Sequence, residues 1–220
     1  DVEGVYTLDP RIEPDSKLLE LISYDEMLEL ASSGAKVLHP RCVALAAKYK
    51  VPLLVKSTFN DHSGSLVSDH SIEDMPVTGI SVKLQQSLFN MRLNSFDELL
   101  AVFKVFSNAV LDVISLISDE GGFYLGVTVG GSEMNGIKHI LESRFSRHFE
   151  LFHPVAVVTL VGIGMMHQRG IALHVLRSLN ESSIDILAIS TSEIKISCVV
   201  KEHEAVLASR VLHQSFGLGQ

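Results

Sequence analysis

The chain has 220 residues, of which 46% are hydrophobic and 20% are charged, a balance typical of a globular protein with one large or two small cores. Its net charge of -8 and the lack of a dense Lys/Arg cluster argue against a nucleic-acid-binding surface. No apolar run reaches the roughly 18 residues of a membrane span, and the sequence shows no signal peptide.

The opening loop of the chain combines two acids, an aromatic ring and an arginine within a short stretch. Gly4, Asp9 and Pro10 are turn residues, which predict a structured loop. In a nucleotide site, Tyr6 could stack on a base and Arg11 could bind phosphate through two parallel hydrogen bonds. A solvated surface loop is the alternative that these residues leave open.

Two helices are predicted next. The segment Ser23–Glu26 is a capping box, Ser-x-x-Glu, and it predicts a helix that ends at Gly34. Pro40 fits the first turn of a second helix, which ends near Tyr49. Lys36 lies in the connection, where its ammonium could reach a phosphate, although a lone lysine is more often a surface residue.

After these helices the sequence predicts a domain boundary. Val51–Lys56 has a buried-strand pattern, and residues 67–76 form a polar linker, so residues 1–66 are predicted to be one domain. Short strands and helices then alternate. The predicted strands are Val77–Lys83, Ser87–Leu93, Val113–Ile117, Phe123–Val129, Val155–Val161, Ile184–Ser190 and Ile194–Val200, and the predicted helices follow Ser95 and Ser132 as caps and span Gln168–Leu179 and Glu202–Phe216.

These elements form two tandem β-α-β-β-α units, predicted at residues 77–153 and 154–220, in the split βαβ pattern of ferredoxin-like domains. The sequence therefore predicts an α+β fold. Two helices would cover one face of each four-stranded antiparallel sheet. The other face or an edge must be buried by a neighbour, which favours pairing of the units and dimerisation.

A polar corner, Thr191-Ser192-Glu193, joins the last two predicted strands. Its hydroxyls and carboxylate suit the capture of a small zwitterion. A hairpin corner that hydrates itself is the alternative.

The cysteines and histidines point to no metal centre. Cys42 and Cys198 lie far apart in apolar contexts and are predicted to be buried free thiols of a cytoplasmic protein. None of the ten histidines pairs at i, i+4 with a carboxylate partner in a zinc-like array. We therefore expect no metal held by the protein.

Several segments resemble aspartate kinases. They are Asp-Val-x-Gly-Val-Tyr-Thr-x-Asp-Pro-Arg at residues 1–11, Ser-Tyr-x-Glu-Met-Leu-Glu-Leu-Ala-Ser at 23–32, Gly-Ala-Lys-Val-Leu-His-Pro-Arg at 34–41 and Thr-Ser-Glu-Ile-Lys-Ile-Ser at 191–197, with Val-Gly-Ile-Gly-Met at 161–165. Three such motifs in order within about forty residues are far more specific than any one alone. The resemblance covers nearly the whole chain and is weakest at residues 84–153.

The resemblance implies a phosphotransferase with two regulatory domains. Aspartate kinases transfer the γ-phosphoryl group of ATP to the β-carboxylate of L-aspartate, the first step toward lysine, threonine and methionine, with Mg²⁺ held mainly by the ATP phosphates. Residues 1–66 would be the C-terminal part of an amino acid kinase domain. The two later units would be ACT domains, which bind amino-acid effectors such as lysine or threonine and form homodimers. The strand Val77–Lys83 could then pair with the second unit.

The resemblance also implies the roles of individual residues at the front of the chain. By position, Asp1 would lie by the base and ribose of ATP, Tyr6 by the adenine and Arg11 near the phosphates. Lys36 and the backbone of Val37 match a later nucleotide contact. The catalytic residues are expected before Asp1, since two phosphate- and substrate-binding motifs of the family do not occur in this sequence. We therefore expect that these 220 residues alone are inactive.

The effector positions of the family fall mainly in the second unit. They correspond to Met166, Ile171, Ala172, Asp185, Ile186, Ser192 and Glu193. In the first unit, Asn94 begins the segment that stands where the family usually has an Asp-x-Pro-Gly turn, and Leu116 stands where the family often has a glutamine. Asp112 is retained and could meet the amino group of an effector. Feedback through one effector, or a purely structural first unit, is therefore expected.

A free-standing regulatory subunit that senses amino acids is the alternative function. Such a protein has no use for Tyr6, Arg11 and Lys36 together, so the sequence favours the enzyme.

Overall fold

The computed structural model describes residues 2–59, 63–70, 75–107, 109–145 and 149–219. Their strands are β1 (Leu21–Ser23), β2 (Leu53–Val55), β3 (Ser65–Ser68), β4 (Gly79–Leu93), β5 (Leu111–Asp119), β6 (Gly122–Gly130), β7 (Phe149–Val161), β8 (Ala188–Thr191) and β9 (Lys195–Lys201). Their α-helices are α1 (Tyr24–Ser32), α2 (Pro40–Tyr49), α3 (Phe96–Phe106), α4 (Gly131–Phe145), α5 (Ile171–Glu181) and α6 (Ala205–Ser215), with 3₁₀ helices at Ile163–His167 and Glu202–Glu204. None of the helices in these ranges is long and apolar enough to cross a bilayer.

Two long strands run through a single six-stranded antiparallel sheet with the order β5-β6-β4-β7-β9-β8. The sequence predicted two strands where β4 is one strand of 15 residues. The pairing of β4 shifts register between Lys83 and Gln86, and Gln85 adopts a positive φ of 55°. The sequence predicts a strand end here because polar residues occupy the bulge.

The two ferredoxin-like units share β4 and β7. The first unit uses the second half of β4, then β5, β6 and the first half of β7, with α3 and α4. The second unit uses the rest of β7, then β8 and β9, with α5 and α6, and takes its fourth strand from Gly79–Lys83, which pairs with Val157–Val161. The tandem ferredoxin-like α+β fold is confirmed. The boundary predicted between residues 153 and 154 falls inside β7.

Local signals placed some elements correctly and others not. α1 begins after Ser23, whose hydroxyl accepts from the Glu26 N–H while the Glu26 carboxylate accepts from the Ser23 N–H, as the capping box predicts. α4 begins at Gly131, so Ser132 lies inside the helix and is not its cap. The predicted linker is wrong at its start, because residues 67 and 68 belong to β3, which pairs with β1 and β2.

The front segment (residues 2–59 and 63–70) packs along the edge of the second unit. Along Gly79–Lys83, β4 pairs with β7 on one side, and on the other side Ile80 N–H donates to the Thr7 carbonyl at 2.7 Å. Leu8 is buried in the core between the sheet and helices α5 and α6. On the opposite sheet face, Val161 of β7 packs into the core of the front segment with Leu30 of α1. The front segment and the second unit therefore share two cores.

The two cysteines differ in accessibility. Cys198 is buried, as expected, but Cys42 is exposed on α2, so the prediction of a buried thiol is wrong there. Burial raises the pKa of the Cys198 thiol to about 12, and thiols react as thiolates. Iodoacetamide at pH 8 is expected to modify Cys42 alone in the folded protein, as peptide mass spectrometry would show. The Cys42→Ser variant should remain unmodified, and rapid alkylation of Cys198 would contradict the prediction.

Candidate functional site

The opening loop holds Tyr6 and Arg11 through contacts made within the loop. The Tyr6 hydroxyl donates to Glu3 Oε2 at 2.6 Å, and this hydrogen bond, with burial and the charge of Glu3, raises the pKa of Tyr6 to about 12. The Arg11 guanidinium donates through Nε and Nη2 to Asp9, with the Nη2–Oδ2 distance at 2.7 Å, and lowers the pKa of that carboxyl. The Arg11 side chain is still 84% exposed, so its outer surface is open to a ligand.

The other predicted nucleotide contacts lie in the connection between α1 and α2. Lys36 is exposed, and Val37 is partly buried against the core of the front segment. Among the described residues, no hydrogen bond or ion pair joins Tyr6, Arg11 and Lys36 to one another. Asp1 lies outside the described residues.

An open pocket of about 490 Å³ lies between the front segment and the polar corner of the second unit. Its lining residues are Asp25, Ile163, Met166, Ser192, Glu193 and Ile194. It brings together three of the predicted effector residues, which are Met166, Ser192 and Glu193. Sequence reasoning missed Asp25, Ile163 and Ile194. Asp25 lies in α1, far from the other lining residues in the chain, and the two isoleucines fit an ordinary apolar pattern.

The remaining predicted effector residues of the second unit lie elsewhere. Asp185 and Ile186 line a separate open pocket of about 450 Å³ at the C-terminal end of α5, together with Arg177 and Asn180. The Lys201 ammonium bonds Asp185 at 2.8 Å and lowers the pKa of its carboxyl. Ile171 and Ala172 are partly buried against the second unit's core.

The two candidates in the first unit are separated along the sheet. Asn94 follows the end of β4, and its N–H donates to Glu98 Oε2 at 2.7 Å. Asp112 on β5 pairs with Lys83 at 3.3 Å. Asp112 of β5 and Leu88 of β4 both pair with Thr128 of β6, so they lie at the same height in the sheet. Asn94 is six residues beyond Leu88 along the chain, a distance of about 20 Å in an extended strand. The structure therefore does not bring the two side chains into one site.

A buried carboxylate joins the pocket to α1. Glu26 is 1% exposed. Its Oε2 accepts from the Ser23 hydroxyl at 2.7 Å, and its Oε1 accepts from the Thr78 hydroxyl at 2.6 Å and from the Ile163 N–H at 3.1 Å. Ile163 is itself a wall of the pocket. One side chain therefore ties α1, the segment before β4 and the pocket wall together.

A second contact beside this junction is an ion pair between α1 and β9. Lys195 Nζ lies 2.8 Å from Glu29 Oε2, and both side chains are about 30% exposed, at 31% and 28%. Across the described ranges, no group of three or more His, Cys, Asp or Glu residues is placed to hold a metal ion.

Comparison with known proteins matches both parts of the chain to described families. Residues 1–57 match the model of the amino acid kinase family, and residues 158–216 match an ACT domain model. The chain is 35% identical over 231 residues to the aspartate kinase of Pseudomonas putida, covering 99% of this chain and 56% of that protein. It therefore spans a little over half the length of this relative.

Solved structures share the fold. The aspartate kinase of Clostridium acetobutylicum superposes with a TM-score of 0.86 at 23% identity, covering 98% of this chain and 53% of that one. Aspartokinase III of E. coli, solved with aspartate and ADP, gives a TM-score of 0.82 at 24% identity, covering 98% of this chain and 50% of that one. The same E. coli enzyme was also solved with lysine and aspartate, and that form gives a TM-score of 0.75.

Proposed function

Because the chain belongs to the aspartate kinase family and matches the C-terminal part of its members, we propose that it supplies part of the ATP site and the regulatory domains of an enzyme that phosphorylates the β-carboxylate of L-aspartate. One observation carries this proposal. The segment that matches amino acid kinases and the unit that matches an ACT domain share two hydrophobic cores. In this proposal the nucleotide loop and the amino-acid sensor pack together in one body. We place this enzyme in the cytoplasm, at the start of lysine, threonine and methionine synthesis.

In this proposal the opening loop contacts ATP. Tyr6 lies beside the adenine, Arg11 faces the phosphates with its exposed guanidinium, and Lys36 with the Val37 backbone adds a second contact. Positive charge at these places would stabilise the negative charge of the transferred phosphoryl group. Mg²⁺ enters with ATP and is held mainly by its phosphates. The ADP and aspartate bound by E. coli aspartokinase III support ATP and L-aspartate as the substrates here.

The pocket between α1 and the polar corner is the proposed effector site. Asp25 and Glu193 contribute two carboxylates, which suit an ammonium group, and Met166, Ile163 and Ile194 offer an apolar wall. Lysine or threonine is the proposed effector, and the lysine bound by E. coli aspartokinase III supports this class. We also propose a homodimer formed through the ACT domains, since unpaired backbone groups of an edge strand can pair with another chain.

A non-catalytic regulatory subunit is the second candidate function. The match of residues 1–57 to amino acid kinases and the presence of Tyr6, Arg11 and Lys36 favour the enzyme. The two differ in whether the complete protein transfers phosphate at all.

The proposal is tested by trapping aspartyl phosphate with hydroxylamine. The complete protein that contains these residues is expected to form the hydroxamate from ATP and L-aspartate and to be inhibited by lysine or threonine, whereas the 220-residue chain alone should give no turnover. Glu193→Ala is expected to raise the inhibitory concentration about tenfold, since a charge-assisted hydrogen bond is lost.

Glu181→Ala is the matched control, because Glu181 is exposed and lies outside the pocket. Binding of lysine or threonine by a complete protein that transfers no phosphate would favour the regulatory subunit instead. Turnover by the 220-residue chain alone would contradict the assignment of the catalytic residues to another segment.

A further inference from the structure

The nucleotide-contact loop (residues 2–18) rests against the C-terminal helix of the second unit. Arg210 Nε of α6 donates to the Ile12 carbonyl at 2.8 Å, and Ser16 forms a backbone bridge with Gly219. Leu8 of the loop is 1% exposed and lies in one core with Leu212 and Leu218. The loop is therefore shaped by a regulatory element more than 190 residues away in sequence, since the Arg210–Ile12 separation is 198.

One buried hydroxyl lies at the centre of this contact. Thr7 Oγ1 accepts from the Lys17 N–H at 3.0 Å, lies 3.0 Å from His213 Nε2 and lies 3.2 Å from the Leu218 carbonyl oxygen. Thr7 is 4% exposed and His213 is 1% exposed. Thr7 follows Tyr6 directly and precedes Asp9, which holds Arg11, so the position of Thr7 fixes the backbone that carries both nucleotide contacts.

The hydrogen bonds around Thr7 require a hydrogen on Nε2 of the imidazole. The hydroxyl has one hydrogen, and the carbonyl of Leu218 can only accept it. All four groups are satisfied when Thr7 donates to Leu218 and His213 Nε2–H donates to Thr7. The neutral imidazole with its proton on Nε2 meets this requirement without a buried charge.

We propose that His213 is a positioning residue for the nucleotide-contact loop, which it holds through Thr7, and that a second proton on the imidazole weakens this hold. The inference rests on the proposed function only for the identity of the ligand that the loop contacts. It makes α6 of the regulatory unit a direct determinant of the loop's shape.

The charged groups near His213 determine the sign of the pH dependence. Burial lowers the pKa of His213 from its ordinary 6.5, and Lys17 lowers it further, while Glu13 and Asp15 partly oppose the shift. Arg210, on the same helix, lies 3.9 Å from Glu13. The packed state of the loop against α6 favours the neutral ring of His213. The loop is therefore held most firmly above pH 6.5. This hold weakens as the pH falls below that value, since the released ring binds the proton more tightly.

Hydrogen exchange of the full chain tests this inference without any nucleotide. The protection factors of loop amides at pH 7.5 and 5.5, corrected for intrinsic rates, report local opening, and amides of β9 report global unfolding. His213→Leu and Thr7→Val are each expected to lower loop protection about tenfold at pH 7.5 with little change in β9. His213→Gln keeps an N–H donor at a similar place and should restore most of the protection.

The pH profile separates positioning from simple packing. Loop protection in the unmodified chain is expected to fall several-fold from pH 7.5 to 5.5, and the His213→Gln variant should show no such fall. Equal losses in His213→Gln and His213→Leu, or an unchanged pH dependence in His213→Gln, would overturn the inference. An absence of kinase activity in the complete protein would instead count against the proposed function and leave this result standing.

Discussion

Replacement of Glu26 by alanine is expected to lower the free energy of unfolding by about 4 kcal/mol, because the change leaves several buried or partly buried donors without an acceptor. The Ile163 N–H, the Thr78 hydroxyl and the Ser23 hydroxyl all donate to this carboxylate. Each unpaired buried donor costs about 1–3 kcal/mol. Glu26→Gln keeps the shape but turns an NH₂ group toward some of these donors, so we expect a loss of about 2 kcal/mol.

Glu29→Ala is the matched control for this prediction. Glu29 is on the same helix and pairs with Lys195, but its side chain is 28% exposed. Such a pair contributes about 0–1 kcal/mol. Urea unfolding followed by circular dichroism measures all three variants. If Glu26→Ala costs no more than Glu29→Ala, the buried carboxylate is not the main link between α1 and the second unit.

This junction illustrates what the sequence could and could not predict. The capping box revealed one role of Glu26, since its bond to Ser23 spans three residues. The other role depends on Thr78 and Ile163, which are 52 and 137 residues away. No local pattern carries that information, because the same Ser-x-x-Glu sequence caps helices that are fully exposed.

The pairing of the strands was predictable only in part. Alternating apolar residues marked most of the strands in the six-stranded sheet. Gln85 lies in a bulge, where its φ is positive. The polar residues at such a bulge look in the sequence like a turn between two strands, so the sequence predicts a break there. Pairing with β6 and β7 on either side keeps β4 continuous there.

The predicted effector residues are split because α5 separates them. Ile171 begins this helix, and Asp185 and Ile186 follow its C-terminal end. A helix of 11 residues is about 16 Å long. Met166, Ser192 and Glu193 lie at the opposite end, where the chain returns beside α1. Residue spacing alone could not show that an acid from the front segment, Asp25, completes that pocket.

Alanine at Gly162 or Gly164 is expected to cost about 3 kcal/mol or more, because backbone occupies the space that a Cβ atom would need. At Gly162 a Cβ would lie 2.8 Å from Val77 Cα and 2.9 Å from Thr78 N, and closer still to the Pro76 carbonyl oxygen. At Gly164 it would lie 2.8 Å from the Met75 carbonyl carbon. Residues 75–78 thus cross directly over both glycines.

Gly136→Ala is the matched control, since Gly136 lies inside α4 and a Cβ there would meet nothing within 4 Å. This change is expected to stabilise the protein by up to about 1 kcal/mol, because alanine favours the helix. Urea unfolding distinguishes the three variants, and similar effects at all three positions would refute the steric explanation. Contact with residues 75–78 would then not be the reason why Gly162 and Gly164 are glycines. If the losses are as large as expected, that motif is the packing surface on which the chain entering β4 meets the wall of the candidate effector pocket.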